Sequence, residues 1–232
     1  MTSEVLFKAE NRFTLKIIAH RIRKYFPSWF YNCLLLIRFY TFKNVCDDTL
    51  VSKVVYSDGS WISRKTTRDL RRIQTYLSKI ERPIDVLQIG VGNSSLYREL
   101  QSKPLSRMIG ITIVSEELDY AMSMFPKDFG GRYKVFIANK YSEEINYIGS
   151  EFDYIVDNDI GSYSCCRYHF LKMLENYHSL LKADGVVLIG HDGLKYFDSG
   201  FGLTESMMTR IAKRYEFNLS MDEYSYRLKR KN

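Results

Sequence analysis

From Ile84 onward, short apolar runs alternate with helix-like segments, and this alternation constrains the fold more than any other feature of the chain. Five runs have the length and composition of buried strands: 84–89, 107–113, 134–137, 152–156 and 185–189. Helices are predicted between them near 94–101, 115–124 and 165–181. Strands connected through helices at these spacings pair in parallel within one doubly wound sheet. The sequence therefore predicts an α/β fold with a mainly parallel central sheet.

The last thirty residues depart from this alternation. A helix predicted at about 204–215 is followed by two short strand-like runs, 216–221 and 224–229, with only Asp222 and Glu223 between them. Strands joined by so few residues have to be antiparallel. The prediction is a seven-stranded, Rossmann-like sheet that ends in an antiparallel hairpin, which is unlike a plain dinucleotide-binding domain.

The positive charge of the chain is concentrated at its N-terminus. Residues 1–46 contain eight basic and two acidic side chains, which accounts for six of the seven net positive charges. The rest of the chain is almost neutral, so a nucleic-acid-binding groove in the core is not expected. We predict a basic, amphipathic helical appendage over residues 1–50 and a single larger domain over residues 51–232.

The appendage is predicted to form two helices that are interrupted at Pro27. Three roles remain open for it: a helical lid packed on the core, peripheral contact of residues 1–46 with an anionic membrane, or an oligomer contact. The chain shows no signal peptide, and its longest apolar stretch, Trp29–Phe42, is too short to span a bilayer. A cytoplasmic location is expected, with peripheral membrane attachment as the alternative, and the oligomeric state stays open.

The four cysteines, Cys33, Cys46, Cys165 and Cys166, include no C-x-x-C pair, and no histidine lies at zinc-finger spacing from them. Spacing along the sequence therefore predicts neither a disulfide framework nor a structural zinc site.

A glycine-containing loop follows the first predicted strand, in the segment Val86-Leu87-Gln88-Ile89-Gly90-Val91-Gly92-Asn93-Ser94-Ser95. Gly90 and Gly92 allow a sharp turn and a close approach of a ligand, and the next helix begins with free N–H groups. A tight turn without a ligand is the alternative. Ser95 stands where a nicotinamide-binding G-x-G-x-x-G loop has its third small residue, which argues against a pyrophosphate ligand.

Four segments together, 86–95, 110–121, 152–163 and 181–189, resemble class I S-adenosylmethionine-dependent methyltransferases in order and spacing. The resemblance implies that Gly90, Gly92 and Asn93 lie beside the methionine part of S-adenosylmethionine. The acid that binds the ribose in that superfamily is replaced by Thr112, as in its cyclopropane-synthase branch.

Because a threonine alone cannot accept both hydroxyls of a ribose diol, Glu117 at the start of the next helix is the candidate for that role. Its alternative is a helix-start acid stabilised by the macrodipole. Asn139 follows the third strand, where the superfamily has an acid near the adenine. An ordinary turn asparagine is the other interpretation of Asn139.

The segment 152–163 is similar to a motif of the macrolide and aminocoumarin sugar O-methyltransferases, in which paired acids help to hold Mg²⁺ and a histidine acts as a base. Asp157 matches the first acid and is expected to contact the cofactor, whereas Asn158 replaces the second acid and Gly161 replaces the histidine. Asp159 is one residue away and is the candidate to take over either role. Magnesium dependence is therefore left open, with no metal ligands assigned.

His191, directly after the fifth strand, is the other candidate catalytic residue. The carboxyl edge of an open α/β sheet is where ligands bind, and a histidine suits proton removal from a hydroxyl. A structural loop histidine and a metal ligand are the alternatives. We thus expect a methyltransferase that acts on a hydroxyl of a small-molecule or glycosidic acceptor. A non-catalytic ligand-binding or scaffold protein with the same fold is the alternative, and a nicotinamide-dependent oxidoreductase a weaker one.

Overall fold

In a computed structural model of the chain, described for residues 28–46, 59, 61–195 and 202–231, one seven-stranded sheet forms the centre. The strands are β1 (Ile84–Ile89), β2 (Leu105–Thr112), β3 (Tyr133–Ile137), β4 (Phe152–Val156), β5 (Leu181–Ile189), β6 (Phe217–Met221) and β7 (Tyr226–Arg230). The helices are α1 (Ser28–Thr41), α2 (Arg68–Leu77), α3 (Ser95–Leu100), α4 (Ser115–Met124), α5 (Arg167–Leu180) and α6 (Glu205–Arg214). Two 3₁₀ turns, Glu143–Tyr147 and Gly193–Lys195, complete the order.

The strand order is β3-β2-β1-β4-β5-β7-β6, with β1 to β5 parallel and β7 inserted antiparallel between β5 and β6. The predicted Rossmann-like sheet with its C-terminal hairpin is confirmed. The chain adds β2 and β3 on one side of β1 and then crosses over to add β4 and β5 on the other side, so the loops after β1 and β4 flank a topological switch point. Ligands bind at such points in open α/β sheets.

Two apolar layers cover the faces of the sheet. One contains α2, α3 and α4 and packs Val86, Tyr97 and Tyr133 against their neighbours, with the rings of Tyr97 and Tyr133 stacked at 4.0 Å. The other contains α5 and α6, with Leu87, Ile155 and Phe170 fully buried. Both layers hold the loops at the carboxyl edge of the sheet in fixed positions, which is the condition for a defined site there.

Helix α1 is the part of the predicted appendage that the structure describes, and it packs on the second layer. Phe39 is buried in that layer and Leu35 is also buried, whereas Trp29, Ile37 and Tyr40 on the remaining surface of the helix are exposed. The first predicted helix, before Pro27, lies outside the described residues. Within the described part of the chain, none of the helices has the length and apolar character needed to cross a membrane.

Candidate functional site

The glycine loop after β1 is open towards solvent. Gly90 and Gly92 have φ angles of +75° and +53°, and a Cβ built on either one would meet no atom within 4 Å. Ser94 also has a positive φ, and its hydroxyl accepts a hydrogen bond from Tyr133 at 3.0 Å, which fixes the end of the loop. The backbone therefore turns here under strain and leaves free space in front of it, as a ligand cradle requires.

Glu117 closes this cradle from the side of β2. Its Oε2 accepts the Thr112 hydroxyl at 2.6 Å and the Gly92 N–H at 2.9 Å. Sequence reasoning placed Thr112, Glu117 and Gly92 at one cofactor site, and the structure brings all three together. Both hydrogen bonds go to the same carboxylate oxygen, so Oε1 remains for a further donor.

Asn93, in the glycine loop, binds the turn that precedes α2. Its amide Nδ2 donates to the carbonyl oxygens of Arg64 at 3.0 Å and Ile62 at 3.3 Å, so it holds the turn that carries Trp61 against the glycine loop. Trp61 is buried and packs edge-on against Tyr120 of α4. The residue thus positions a wall of the cradle; direct contact of Asn93 with a cofactor stays a prediction.

Two buried polar atoms near the cradle have no hydrogen-bond partner. They are the Gln88 carbonyl oxygen Oε1, at the end of β1, and the Trp61 indole Nε1. Gln88 is 2% exposed, and the other atom of its side-chain amide, Nε2, donates a hydrogen bond to Gly90 O. An orphaned acceptor and an orphaned donor in one region cost free energy unless a ligand satisfies them. The residues present therefore fit a polar cofactor that offers both a donor and an acceptor, as S-adenosylmethionine does.

Asn139 occupies the predicted position after β3. Its Oδ1 accepts the Tyr141 N–H at 3.0 Å. Asparagines in turns typically make this hydrogen bond to the backbone two residues further on. This geometry matches the alternative interpretation, and a role towards adenine would need the second lone pair of the same oxygen.

A buried lysine that the sequence analysis missed governs the loop after β4. Lys140 Nζ lies 3.1 and 3.0 Å from the two carboxylate oxygens of Asp157 and also contacts the carbonyl oxygens of Asp159 and Ile160. The Tyr177 hydroxyl donates to Asp157 Oδ2 at 2.9 Å. Burial, followed by the charge of Asp157, raises the pKa of Tyr177 well above its ordinary value, so the phenol stays a donor.

Both carboxylate oxygens of Asp157 are therefore occupied by donors of this chain. An ammonium group stands where a divalent cation would have to bind, and like charges would repel each other there. The residues around Asp157 therefore do not fit a magnesium site. For the same reason, the structure offers no carboxylate oxygen of Asp157 to a cofactor. Nothing in the sequence around Lys140, which follows the turn residue Asn139, indicated that it would pair with Asp157.

Asp159 is partly buried beside this pair. Burial raises the pKa of its carboxyl group, and the nearby negative charges of Asp157 and Asp69 raise it further. A hydrogen bond from Asn158 and the positive charge of Lys140 lower the pKa, but the net shift is upward. A carboxylate whose pKa is raised is a better proton acceptor than an ordinary aspartate.

His191 lies at the carboxyl edge after β5, as expected, but both of its ring nitrogens are engaged. An Arg72 N–H of α2 lies 2.8 Å from Nδ1, and Nε2 lies 2.8 Å from the carbonyl oxygen of Asp222 in the β6–β7 turn. Because an arginine can only donate, Nδ1 is the acceptor and Nε2 carries the proton. The lone pair that a general base needs is thus taken by Arg72.

The neighbouring loops of β4 and β5 do converge. Gly190 N donates to Asn158 O at 3.1 Å, and a Cβ on Gly190 would lie 2.7 Å from both Asn158 Oδ1 and Asp69 Oδ2. Asp69 Oδ2 in turn accepts the Asp192 N–H at 2.7 Å. Asp69 and Arg72 of α2 are therefore part of this edge of the sheet, which the sequence analysis did not anticipate.

Comparison with known proteins agrees on the fold. No protein-family model matches the chain, and no curated protein matches it in sequence. Among solved structures, a TehB-like SAM-dependent methyltransferase from Corynebacterium glutamicum is 17% identical with a TM-score of 0.53, covering 73% of this chain and 90% of that one. The 1,6-didemethyltoxoflavin-N1-methyltransferase of Burkholderia thailandensis, bound to 1,6-didemethyltoxoflavin and S-adenosylhomocysteine, is 14% identical with a TM-score of 0.52, covering 75% of this chain and 80% of that one.

A third structure with this fold is the cyclase SpnF, 13% identical with a TM-score of 0.50, covering 66% of this chain and 58% of that one. The chain thus has the Rossmann-like fold of the class I methyltransferases. The activities of these three similar proteins differ, and the narrower resemblance to sugar O-methyltransferases is not reproduced among them.

Proposed function

We propose that the protein is an S-adenosylmethionine-dependent methyltransferase. The observation that carries the proposal is the cradle at the carboxyl edge of β1: two glycines of positive φ with open space in front of them, and Glu117 bonded to the loop through one oxygen. S-adenosylmethionine supplies an electrophilic methyl group. The chain's own residues bind it, orient it and exclude water, and proximity contributes much of the rate.

Each side of the cradle has a distinct task in this proposal. Gly90 and Gly92 allow the backbone to approach the methionine part, and Gln88 Oε1 accepts a hydrogen bond from its ammonium group. Glu117 Oε1 accepts from the ribose hydroxyls while Oε2 keeps the loop in place. The turn at Trp61, fixed by Asn93, covers the ligand from the other side.

A hydroxyl of a small molecule or glycoside is the proposed acceptor. The resemblance of residues 152–163 to sugar O-methyltransferases supports it, and Asp159 is the better placed of the two candidate bases because His191 is held by Arg72. The second candidate function is a non-catalytic ligand-binding or scaffold protein. The occupied ring nitrogens of His191, together with Asn158 and Gly161 in the motif, are the observations that support this alternative.

The cradle is tested by calorimetry with S-adenosylhomocysteine, S-adenosylmethionine and NAD. The wild-type protein is expected to bind both sulfur ligands and not NAD. Gly92→Val is expected to abolish binding, because its side chain would project into the open space that a ligand occupies. The matched control is Gly130→Val, at a glycine that also has a positive φ of 85° and no atom within 4 Å of its Cβ position, but lies in the turn before β3.

Equal loss of binding in the Gly130 and Gly92 variants would mean that backbone strain, rather than occupied ligand space, is responsible. Binding of NAD alone would overturn the proposed cofactor. If both sulfur ligands bind but radiolabelled methyl transfer fails across a panel of hydroxyl, amine and carbon acceptors, the non-catalytic alternative is favoured.

A further inference from the structure

A compact group of three cysteines and one histidine lies on the side of the sheet that α5 covers. Cys46, Cys165, Cys166 and His169 place their potential ligand atoms within 4.8 Å of one another. His169 Nδ1 lies 3.2 Å from the sulfurs of Cys46 and Cys166 and 3.4 Å from that of Cys165. All four cysteines of the chain are free thiols, so the group is not held together by a disulfide.

The geometry of this group is that of four ligands around one small ion. A tetrahedral zinc ion with Zn–S distances of about 2.3 Å and a Zn–N distance of about 2.0 Å separates sulfur and nitrogen by roughly 3.5 Å. The observed separations need to open by only a few tenths of an ångström to reach that value. Three soft thiolates and one imidazole are a ligand set that selects zinc among the common cations.

The position in the fold also suits a metal site. Cys166 is the N-cap of α5, and its sulfur accepts the His169 N–H at 3.4 Å, so the thiols lie at the positive end of a helix of fourteen residues. That end stabilises thiolates. Zinc with three thiolates and a neutral histidine carries one net negative charge, which the helix end and the nearby Lys43 offset.

We propose that Cys46, Cys165, Cys166 and His169 form a structural Cys₃His zinc site. All four positions are filled by the protein, as in structural rather than catalytic zinc sites. On binding, the three thiols lose their protons to solvent and three sulfur–zinc bonds form together with one nitrogen–zinc bond, with no change in oxidation state.

The site joins two distant parts of the chain. Lys43 O and Asn44 O, just before Cys46, accept the N–H groups of Arg167 and Tyr168 in the first turn of α5, each at 2.9 Å. Zinc would lock this contact and so fasten α1 to the core. Spacing along the sequence did not indicate the site, because Cys46 and His169 are 123 residues apart.

The test is the metal content of the full-length protein, purified without chelator from zinc-supplemented cells. About one zinc per chain is expected by mass spectrometry of the metal. Cobalt exchanged into the site should give the visible absorption of tetrahedral cobalt and near-ultraviolet sulfur-to-cobalt charge transfer. A strong chelator should lower Tm by roughly 5–10 °C.

Three variants make the assignment specific. Cys166→Ser is expected to lose the zinc, while Cys33→Ser, at the exposed cysteine of α1, keeps it as the matched control. His169→Cys preserves a four-ligand set and is expected to retain zinc even if Cys166→Ser fails to fold. Absence of stoichiometric metal in the wild-type protein, equal loss from the Cys33 variant, iron–sulfur absorption, or a disulfide between Cys46 and Cys165 would each overturn the site.

Discussion

Replacing Lys140 by methionine is expected to lower the free energy of unfolding by about 3–5 kcal/mol, the usual cost of removing one partner of a buried ion pair. Lys140 is 6% and Asp157 2% exposed, so the remaining carboxylate would be left charged and buried, with Tyr177 as its one side-chain partner among the described residues. The loop after β4 would also lose the donor that holds the carbonyl oxygens of Asp159 and Ile160. Urea unfolding followed by fluorescence measures the effect.

The matched control is Lys172→Met. Lys172 pairs with Glu175 at 3.0 Å on the surface of α5, and both side chains are more than a third exposed. Solvent-exposed pairs contribute about 0–1 kcal/mol, so this variant should be nearly as stable as the wild type. The double variant Lys140→Met/Asp157→Leu should recover part of the lost stability, because no buried charge remains. Similar small effects for both lysines would refute the buried-pair assignment.

Asp159→Asn is expected to reduce turnover by about 10²–10⁴-fold once an acceptor has been found, the usual range for loss of a general base. Its affinity for S-adenosylhomocysteine should stay close to that of the wild type. Since burial raises the pKa of this carboxyl group, activity should fall as the pH drops through a value above that of an ordinary aspartate. The acidic limb of the kcat profile should disappear in the variant.

His191→Ala provides the comparison, because both residues were candidate bases. The hydrogen bonds to Arg72 and Asp222 O give His191 a structural task, so its loss should affect stability more than the acidic limb of the profile. If His191→Ala instead removes that limb and Asp159→Asn keeps it, the base is His191 and Arg72 has to release it during the reaction.

The sheet could be predicted well because its strands are continuous apolar runs. β1 and β4 and helix α4 match their predicted bounds. The hairpin was predicted from its short connection, but four residues, 222–225, separate β6 from β7 instead of the two expected. β5 begins at Leu181 rather than at residue 185 because Leu181 pairs with Phe152 ahead of a register shift between β4 and β5. Lys182, in this first part of β5, binds Asp85 and Asp153 near the amino ends of β1 and β4. Because Lys182 is polar, this part of the sequence did not look like a buried strand.

The candidate site was less predictable, since its contacts depend on how far long side chains reach. Glu117 and Thr112 lie five residues apart on consecutive elements, and the resemblance to the methyltransferases placed both beside the glycine loop. Lys140 reaches across from the loop after β3 to Asp157, directly after β4, and Arg72 reaches His191 from α2. Nothing in the local pattern around either cation distinguishes it from a surface residue.

The contact between the segment around Cys46 and the start of α5 has a consequence for synthesis on the ribosome. Cys46 and His169 are 123 residues apart. At a synthesis rate of about 5–20 residues per second, this length of chain takes roughly 6–25 s to be made. During that interval Leu35 and Phe39 have no core to pack on, and the Cys46 thiol lacks the other three ligands of the proposed zinc site. The N-terminal helix is therefore the first of the described elements to leave the ribosome and among the last to find its place, and its apolar side stays exposed in the meantime.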